Sequence, residues 1–286
     1  TKEFSWTSSF NISVNHNKVL SLNDDEPSLA SRVNWGNFNN AYPYIAIPGH
    51  PIAMFYGHIF DGVYQYTDFD KVGESYILKD GVPNNGNARE KIQPGDIKFK
   101  DINRDGMVND YDLTIIGNPN PKHIGGFGNN FQYKNFDLNV FFQWSYGGDV
   151  LNANRIEFEG GDPNARTSLN MFASFANRWT PENQTNELYR IGGQGPAVYS
   201  SRTIEDGSFL RLKTISLGYR LPNAWLKKIN IKSLRVYASA QNLITWTKYS
   251  GPDPEVSTRP TALTPSFDWS PYPRPRTLTL GVDISF

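Results

Sequence analysis

The sequence predicts an all-β fold: a segment of an antiparallel transmembrane β-barrel with long extracellular loops. Three observations support this fold class. Several segments of about ten residues alternate apolar and polar side chains, as strands with one apolar face do. Short turns alternate with very long connections. No stretch of the 286 residues approaches the roughly 20 consecutive apolar residues that a membrane-spanning helix needs, so any crossing of a bilayer must use strands.

The clearest strand pair lies near the middle of the chain. In the segment 136–144, the apolar side chains fall on one face: Phe136, Leu138, Val140, Phe142 and Trp144. Polar side chains occupy most of the other face: Asp137, Asn139 and Gln143. The preceding run, 126–133, is joined to this segment through Lys134-Asn135, a spacing that is typical of a tight hairpin. We therefore predict two antiparallel neighbours.

Four further segments follow the same rule. In 277–286 the apolar side chains again share one face: Leu278, Leu280, Val282, Ile284 and Phe286. This segment has about the length that a tilted transmembrane strand needs. The segments 208–221 and 232–246 alternate less strictly, and the first changes phase near Lys213, as a β-bulge would cause. The run 4–14 completes the predicted strands.

The connections between these strands differ greatly in length. Lys134-Asn135 and Pro222-Asn223 predict short turns, whereas 61–121 and 147–206 are very long. Long connections are uncommon in compact soluble domains, and short turns at one end with long loops at the other are typical of outer-membrane barrels. Within 147–206, apolar residues at helical spacing predict a short loop helix that ends before Pro181: Leu169, Phe172, Ala173 and Ala176.

The composition fits a barrel but does not single it out. Aromatic residues make up 14% of the chain, yet the mean hydropathy is negative, as expected for aromatic belts combined with polar loops and a polar lumen. A soluble β-sandwich or sugar-binding module would fit equally well. Lys and Arg total 28, as do Asp and Glu, so no net charge favours nucleic acid. Without cysteines, disulfides, thiolate metal sites and a cysteine nucleophile are excluded.

A candidate cation loop occupies residues 101–112. Oxygen-bearing side chains stand at the first, third, fifth, ninth and twelfth positions, with Gly106 at the sixth, as in an EF-hand-type calcium loop. The predicted ligands are Asp101, Asn103, Asp105, the backbone carbonyl of Met107, Asn109 and Asp112. Asp rather than Glu at the last position resembles the dockerin version of the loop. We expect calcium, with magnesium as the second choice, in a structural role.

Two alternatives stay open for the chemistry. The cation loop could be an Asx-rich turn held by side-chain to backbone hydrogen bonds without metal. For catalysis, the four histidines are dispersed: His16, His50, His58 and His123. Neighbouring carboxylates such as Asp24-Asp25 or Glu157 and Glu159 define no catalytic geometry. The sequence therefore predicts no enzyme, no catalytic residue and no cofactor-binding residue apart from the cation loop.

A family resemblance rests on short motifs that follow one another along nearly the whole chain. They are Phe55-Tyr56-Gly57, 60–65, 94–101, 116–121, Gly125-Gly126-Phe127-Gly128, 177–183, 206–213, Gln241-Asn242-Leu243, 249–255 and 281–286. In number and order these motifs resemble the carboxy-terminal region of the SusC/RagA family of TonB-dependent outer-membrane transporters.

The resemblance implies a plugged barrel of about 22 strands, of which residues 1–286 supply the carboxy-terminal portion. It implies import of an oligosaccharide, glycan or peptide across the outer membrane of a Gram-negative, Bacteroidetes-like bacterium. Implied partners are a SusD-like lipoprotein lid, the TonB complex, the remaining barrel and plug, and a second transporter–lid pair. The plug and the TonB-contacting segment are expected outside this chain, and no substrate-binding residue is assigned. The alternative is a calcium-stiffened, soluble or surface-attached β-rich carbohydrate-binding module.

Overall fold

The computed structural model describes residues 3–33, 41–160, 169–197, 199–226, 230–258 and 260–286. The strands are β1 Phe4–Ser13, β2 Leu29–Ser31, β3 Tyr44–Ala46, β4 Met54–Gly57, β5 Phe60–Val63, β6 Phe69–Val72, β7 Ser75–Leu78, β8 Ile97–Phe99, β9 Thr114–Gly117, β10 His123–Tyr133, β11 Phe136–Tyr146, β12 Asp149–Asn152, β13 Ile204–Asp206, β14 Phe209–Arg220, β15 Ser233–Thr247, β16 Phe267–Asp268 and β17 Thr277–Ser285. The α-helices are α1 Asn154–Gly160 and α2 Asn223–Leu226. Short 3-10 helices span Asn23–Asp25, Tyr66–Asp68, Arg89–Lys91, Asp110–Asp112, Ala173–Asn177 and Ser201–Thr203.

The dominant element is a six-stranded antiparallel sheet, which we call the strand wall. Its order is β1-β10-β11-β14-β15-β17, which is also the order of these strands along the chain. All six predicted strands are confirmed, with boundaries shifted by a few residues at most. The predicted irregularity near Lys213 is confirmed too, because the pairing register shifts between Leu212 and Thr214.

One predicted turn is confirmed and one is wrong. β10 and β11 form a tight hairpin in which Tyr133 pairs with Phe136 and Lys134 takes a left-handed φ of 52°. Pro222-Asn223 does not make a tight turn, because the chain enters α2 there and returns to the wall only at Ser233. Pro222 lies where its missing N–H costs nothing, just ahead of a helix, and its carbonyl accepts a hydrogen bond from Trp225.

The three long connections all emerge at the opposite end of the wall, since consecutive wall strands are antiparallel. They comprise residues 14–122, 147–208 and 248–276, and we call their described parts the loop layer. The first is longer than the predicted 61–121, because the chain leaves the wall at β1 and returns only at β10. The predicted loop helix is a 3-10 helix, Ala173–Asn177, and α1 was not predicted.

The hydrophobic core lies in the loop layer rather than in the wall. Four large side chains at the centre of its main cluster are fully buried: Tyr44, Phe55, Leu151 and Phe267. Short sheets surround this cluster and two further ones, with orders β2-β3-β4-β9, β13-β12-β16, β5-β8 and β6-β7. The loops thus form a folded layer that holds its own shape above the end of the wall.

Within the described ranges, no helix combines the length and the apolar character needed to cross a membrane.

Candidate functional site: a two-faced wall and its loop layer

One face of the strand wall is apolar from edge to edge. The pairing register places side chains of all six strands in rows on this face, which we call the outer face. Two rows cross all six strands: Phe4, Tyr133, Phe136, Tyr219, Val236 and Val282; and Trp6, Phe131, Leu138, Leu217, Ala238 and Leu280. A third row crosses five strands: Phe10, Phe127, Phe142, Leu212 and Ile244. Leu278 and Leu280 are 77% and 86% exposed, and no described residue covers them with a second layer.

The bulge at Lys213 keeps the outer face apolar. In a strand, successive side chains point to opposite faces, so one extra residue reverses the alternation. On β14, Leu210 and Leu212 precede the bulge, whereas Ile215 and Leu217 follow it, and all four pair with outer-face residues. Without the extra residue, half of β14 would turn its leucines to the polar face.

Polar side chains on the outer face form hydrogen bonds with one another. Asn129 lies between Ser8 and Val140 in the register, and its side-chain oxygen accepts hydrogen bonds from the Trp6 indole at 2.9 Å and the Ser8 hydroxyl at 2.6 Å. Since unsatisfied polar groups cost several kcal/mol in hydrocarbon, this cluster suits a lipid-facing surface.

The opposite, inner face is polar, and its charges are paired across strands. Arg235 on β15 contacts Asp137 on β11 at 2.6 Å and Asp283 on β17 at 3.2 Å. To reach Asp137 the guanidinium crosses β14 at Gly218, where a Cβ atom would lie 2.4 Å from a guanidinium nitrogen. A glycine is therefore required at this crossing.

A second ion-pair network joins the inner face to residues 249–256, which we call the strap. Arg211 is 2% exposed and contacts Asp253 at 2.7 Å and Glu255 at 2.5 Å. Arg274, which is more exposed, contacts the same two carboxylates at 3.3 and 3.0 Å. Two bonds from one planar guanidinium fix geometry as well as charge, so the strap is anchored to the wall.

The other end of the strap is anchored in the loop layer. The Tyr249 hydroxyl donates a hydrogen bond to the buried carboxylate of Asp268, which also accepts from the Asn154 amide at 2.9 Å. Burial raises the pKa of Asp268 and also the pKa of the Tyr249 hydroxyl. Ser250 donates to Glu205 through both its backbone and its hydroxyl. The strap thus connects the wall to the loop core.

Glu159 is the centre of a buried charge cluster in the loop layer. Its carboxylate accepts from Arg155 at 2.9 Å, Arg202 at 2.7 Å and Ser174 at 2.8 Å. Burial alone would raise the pKa of Glu159, but both arginines and the Ser174 hydrogen bond lower that pKa below its ordinary value. The pairing of Glu159 with two arginines gives it a structural role.

This pKa shift predicts an acid-sensitive loop layer. A lowered pKa in the folded state adds stability that is complete above the ordinary glutamate value of about 4.3 and is lost as the pH falls through the folded pKa. We expect Glu159→Gln to weaken α1 by about 2 kcal/mol at neutral pH and to flatten the pH dependence below that value. Hydrogen exchange of the α1 amides measures both effects. Exposed Glu187→Gln is the control, and equal effects of the two variants would contradict the assignment.

The cation loop adopts a tightly closed conformation. Asp101 accepts hydrogen bonds from the backbone of Arg104 at 2.6 Å and Gly106 at 2.8 Å. Asp112 is fully buried and accepts from Ile102 at 2.7 Å and Asn109 at 2.9 Å. Such side-chain to backbone hydrogen bonds are expected for an Asx-rich turn that holds its shape without a metal.

The loop's chemistry still matches a hard cation in part. Each carboxylate oxygen of Asp101 accepts one backbone hydrogen bond and keeps a further lone pair, and Gly106 has the left-handed φ of 86° that the sharp turn needs. One oxygen of Asp112, in contrast, already accepts from both Ile102 and Asn103. In the described part of the chain, however, no three His, Asp or Glu residues lie close enough to hold a metal ion. The ligand set of Asp101, Asn103, Asp105, Met107, Asn109 and Asp112 stays a prediction.

Two of the histidines have aromatic neighbours. His58 stacks on Phe99 at 5.3 Å between ring centroids. His123 stacks on Tyr146 at 5.1 Å and accepts a hydrogen bond from the Trp144 indole at 3.1 Å. Both histidines therefore pack against neighbouring aromatic side chains, as ordinary loop and strand residues do.

A wall with one continuous apolar face, one polar face and long folded loops at a single end defines a segment of an outer-membrane-type β-barrel. Comparison with known proteins agrees with this class. No family model matches the chain. The chain is 35% identical over 290 residues to TonB-dependent receptor P3 of Formosa agariphila and 31% identical over 296 residues to receptor P26 of the same organism. It is 30% identical over 294 residues to TonB-dependent receptor SusC of Bacteroides thetaiotaomicron.

These matches cover 100% of this chain but only 27%, 28% and 25% of the three receptors, so the chain spans about a quarter of their length. Among solved structures, the RagAB peptide transporter is similar with a TM-score of 0.72 and 24% identity, over 100% of this chain and 28% of the other. The RagAB peptide importer in its open-open state gives 0.70. Over its whole length the chain is similar to a carboxy-terminal part of TonB-dependent receptors, SusC among them, and it shares the fold of the corresponding part of RagAB.

Proposed function

We propose that the receptor containing this chain imports a large nutrient, an oligosaccharide, glycan or peptide, across the bacterial outer membrane. The observation that carries this proposal is the strand wall, whose outer face suits lipid and whose inner face suits an aqueous lumen. A soluble carbohydrate-binding module would need its apolar face covered. The described residues leave Leu278, Leu280 and Val282 uncovered, which argues against that alternative.

The wall also supports the proposed intramolecular partners. Among the described strands, β1 and β17 are the two edges of the sheet and pair on one side only. Unpaired backbone groups are too costly in hydrocarbon to face lipid. We therefore assign the free edges to pairing with the remaining barrel strands of the receptor, which would enclose its plug.

The loop layer supports the proposed external partner. It has its own buried clusters and lies at one end of the wall, where a SusD-like lipoprotein lid would contact it from outside the cell. The energy for import would come from a TonB complex acting on the plug, and two transporter–lid pairs would form the dimer. One solved structure with this fold is that of the RagAB peptide transporter.

Import can be tested in the native bacterium. We expect deletion of the receptor gene to abolish growth on one class of large nutrient while growth on the corresponding monomers is unchanged. Removal of TonB should cause the same defect, and co-purification with the receptor should recover a lipoprotein. Unchanged growth on every oligosaccharide and peptide source would contradict the proposal.

We also propose that the cation loop binds calcium as a structural ion. The spacing of its oxygen-bearing side chains and the φ of Gly106 support this. Calcium is expected to raise the unfolding temperature of the loop layer in the purified receptor, and Asp101→Ala or Asp105→Ala should abolish the increase. Exposed Asp110, which is not at a ligand position, provides the control variant Asp110→Ala. If chelator and calcium give the same unfolding temperature, the loop is the metal-free Asx turn.

A further inference from the structure

A cleft of about 610 Å³ lies between the inner face of the wall and the loop layer. Its wall side is formed by β1, β10, β11 and β14, and the strap and residues 265–266 close it from the other side. The volume is in the range of pockets that take small ligands or parts of larger ones. This cleft is at the loop end of the inner face, where a solute that entered from the loop side would first meet the wall.

Phe141 lies flat against the wall in this cleft. Its partner across the sheet is Gly128, and Gly126 is two residues away on the same strand. A Cβ atom at Gly126 would lie 2.8 Å from the ring, and one at Gly128 would lie 3.6 Å from it. The two glycines therefore provide the bare backbone on which the ring rests. Phe141 is half-buried and lines the cleft.

Polar groups line the same cleft as this ring. Asn11 on β1 is exposed beside it. Gln143, two residues along β11, uses its amide nitrogen to contact Glu255 at 3.2 Å. Asp149 adds a carboxylate that accepts one hydrogen bond, from the Asn118 backbone at 2.7 Å. Amides and carboxylates around a flat aromatic ring match a sugar, which has an apolar C–H face and a rim of hydroxyl groups that both donate and accept hydrogen bonds.

The charges of the cleft limit the ligand further. The described lining contains two carboxylates, Asp149 and Glu255, and neither lysine nor arginine. Glu255 is neutralised by Arg211 and Arg274, whose guanidinium groups are occupied by the strap carboxylates. An anionic ligand would find no available cation in this part of the molecule, so a neutral ligand is favoured.

The sheet itself argues against an extended peptide at this position. A peptide commonly binds by adding a strand to a free sheet edge. β10 and β11 are interior strands whose backbone groups pair on both sides, so the cleft offers no such edge. We infer that Phe141, resting on Gly126 and Gly128, is the stacking platform of a subsite for a neutral sugar ring of the imported cargo. This inference rests on the proposed import function and gives it a substrate class.

The test uses the purified full-length receptor and isothermal titration. The probes are neutral hexasaccharides of glucose, galactose, mannose and xylose, a sulfated hexasaccharide, and peptides of a casein digest. We expect one of the neutral sugars to bind, Phe141→Ala to weaken it about tenfold, and Phe141→Trp to retain most of the affinity. Gly126→Ala should also weaken binding, since its methyl group would displace the ring. Phe142→Ala, the neighbouring residue on the outer face, is the matched control and should not change affinity.

Folding of each variant is checked by the heat-dependent mobility of the barrel on a denaturing gel, and Phe141→Trp keeps the test valid if the alanine variant does not fold. Equal affinity of wild type, Phe141→Ala and Gly126→Ala overturns the subsite, although import stands. Binding and uptake of peptides or of the sulfated sugar alone overturn the neutral-sugar class, and import again stands. Binding of no probe, together with no growth defect on deletion of the receptor gene, overturns both.

Discussion

Replacing Arg211 with methionine is expected to release the strap and to destabilise its attachment by about 3 to 5 kcal/mol. The substitution keeps most of the side-chain volume but removes the buried cation that contacts both Asp253 and Glu255, and leaves them only the more exposed Arg274. Removing the buried cation is costly because the desolvated carboxylates lose their main partner. Limited proteolysis of residues 248–276 in the purified receptor measures the release.

Arg274→Met is the matched control for this prediction. Arg274 contacts the same two carboxylates, but its side chain is 45% exposed, and exposed ion pairs contribute about 1 kcal/mol or less. The strap of this variant should therefore resist protease almost as well as wild type. Equal protease sensitivity of the two variants would show that Arg211 does not hold the strap.

Replacing Leu280 with arginine is expected to destabilise the folded receptor in a bilayer by about 2 to 4 kcal/mol, as for a charge on the lipid face of a barrel near the bilayer centre. Leu280 lies on the outer face and pairs with Ala238. Denaturant unfolding of the receptor in lipid vesicles measures the effect.

Thr279→Arg tests the opposite face with the same substitution. Thr279 is the preceding residue, pairs with Ser239 and points to the inner face, where an arginine can remain hydrated. Its free energy of unfolding should stay within about 1 kcal/mol of wild type. If Thr279→Arg lowered the free energy of unfolding more than Leu280→Arg does, the two faces would be assigned the wrong way round.

The strand wall was predictable from sequence because its signal is local. Alternation along β11 and β17 fixes which side chains share a face, and the change of phase at Lys213 marked the bulge that the register shows. The hairpin at Lys134 follows from its two-residue spacing. Pro222 misled the prediction, because proline precedes a helix as readily as it occupies a turn.

The loop layer was not predictable in the same way. Its strands are only a few residues long, and some pair across large separations, as when Leu151 pairs with Phe267 in parallel. No local period marks such contacts. The motif 249–255 was recognised by resemblance, but nothing in its spacing pointed to Arg211 as its partner. Nor did the alternation of β11 indicate that Phe141 would rest on Gly126, because that contact depends on the register between two strands.

The assignment of the two faces is tested most directly by spin labels placed one at a time at positions 278 to 285 of the full receptor in lipid vesicles. Other cysteines of the receptor would first be replaced by serine. Collision rates are measured with oxygen, which partitions into lipid, and with a nickel complex, which stays in water. We expect a period of two, with labels at 278, 280, 282 and 284 reached by oxygen and those between them by nickel. Labels at 278, 280, 282 and 284 that neither reagent reaches, or a uniform pattern along the strand, would contradict the transmembrane wall.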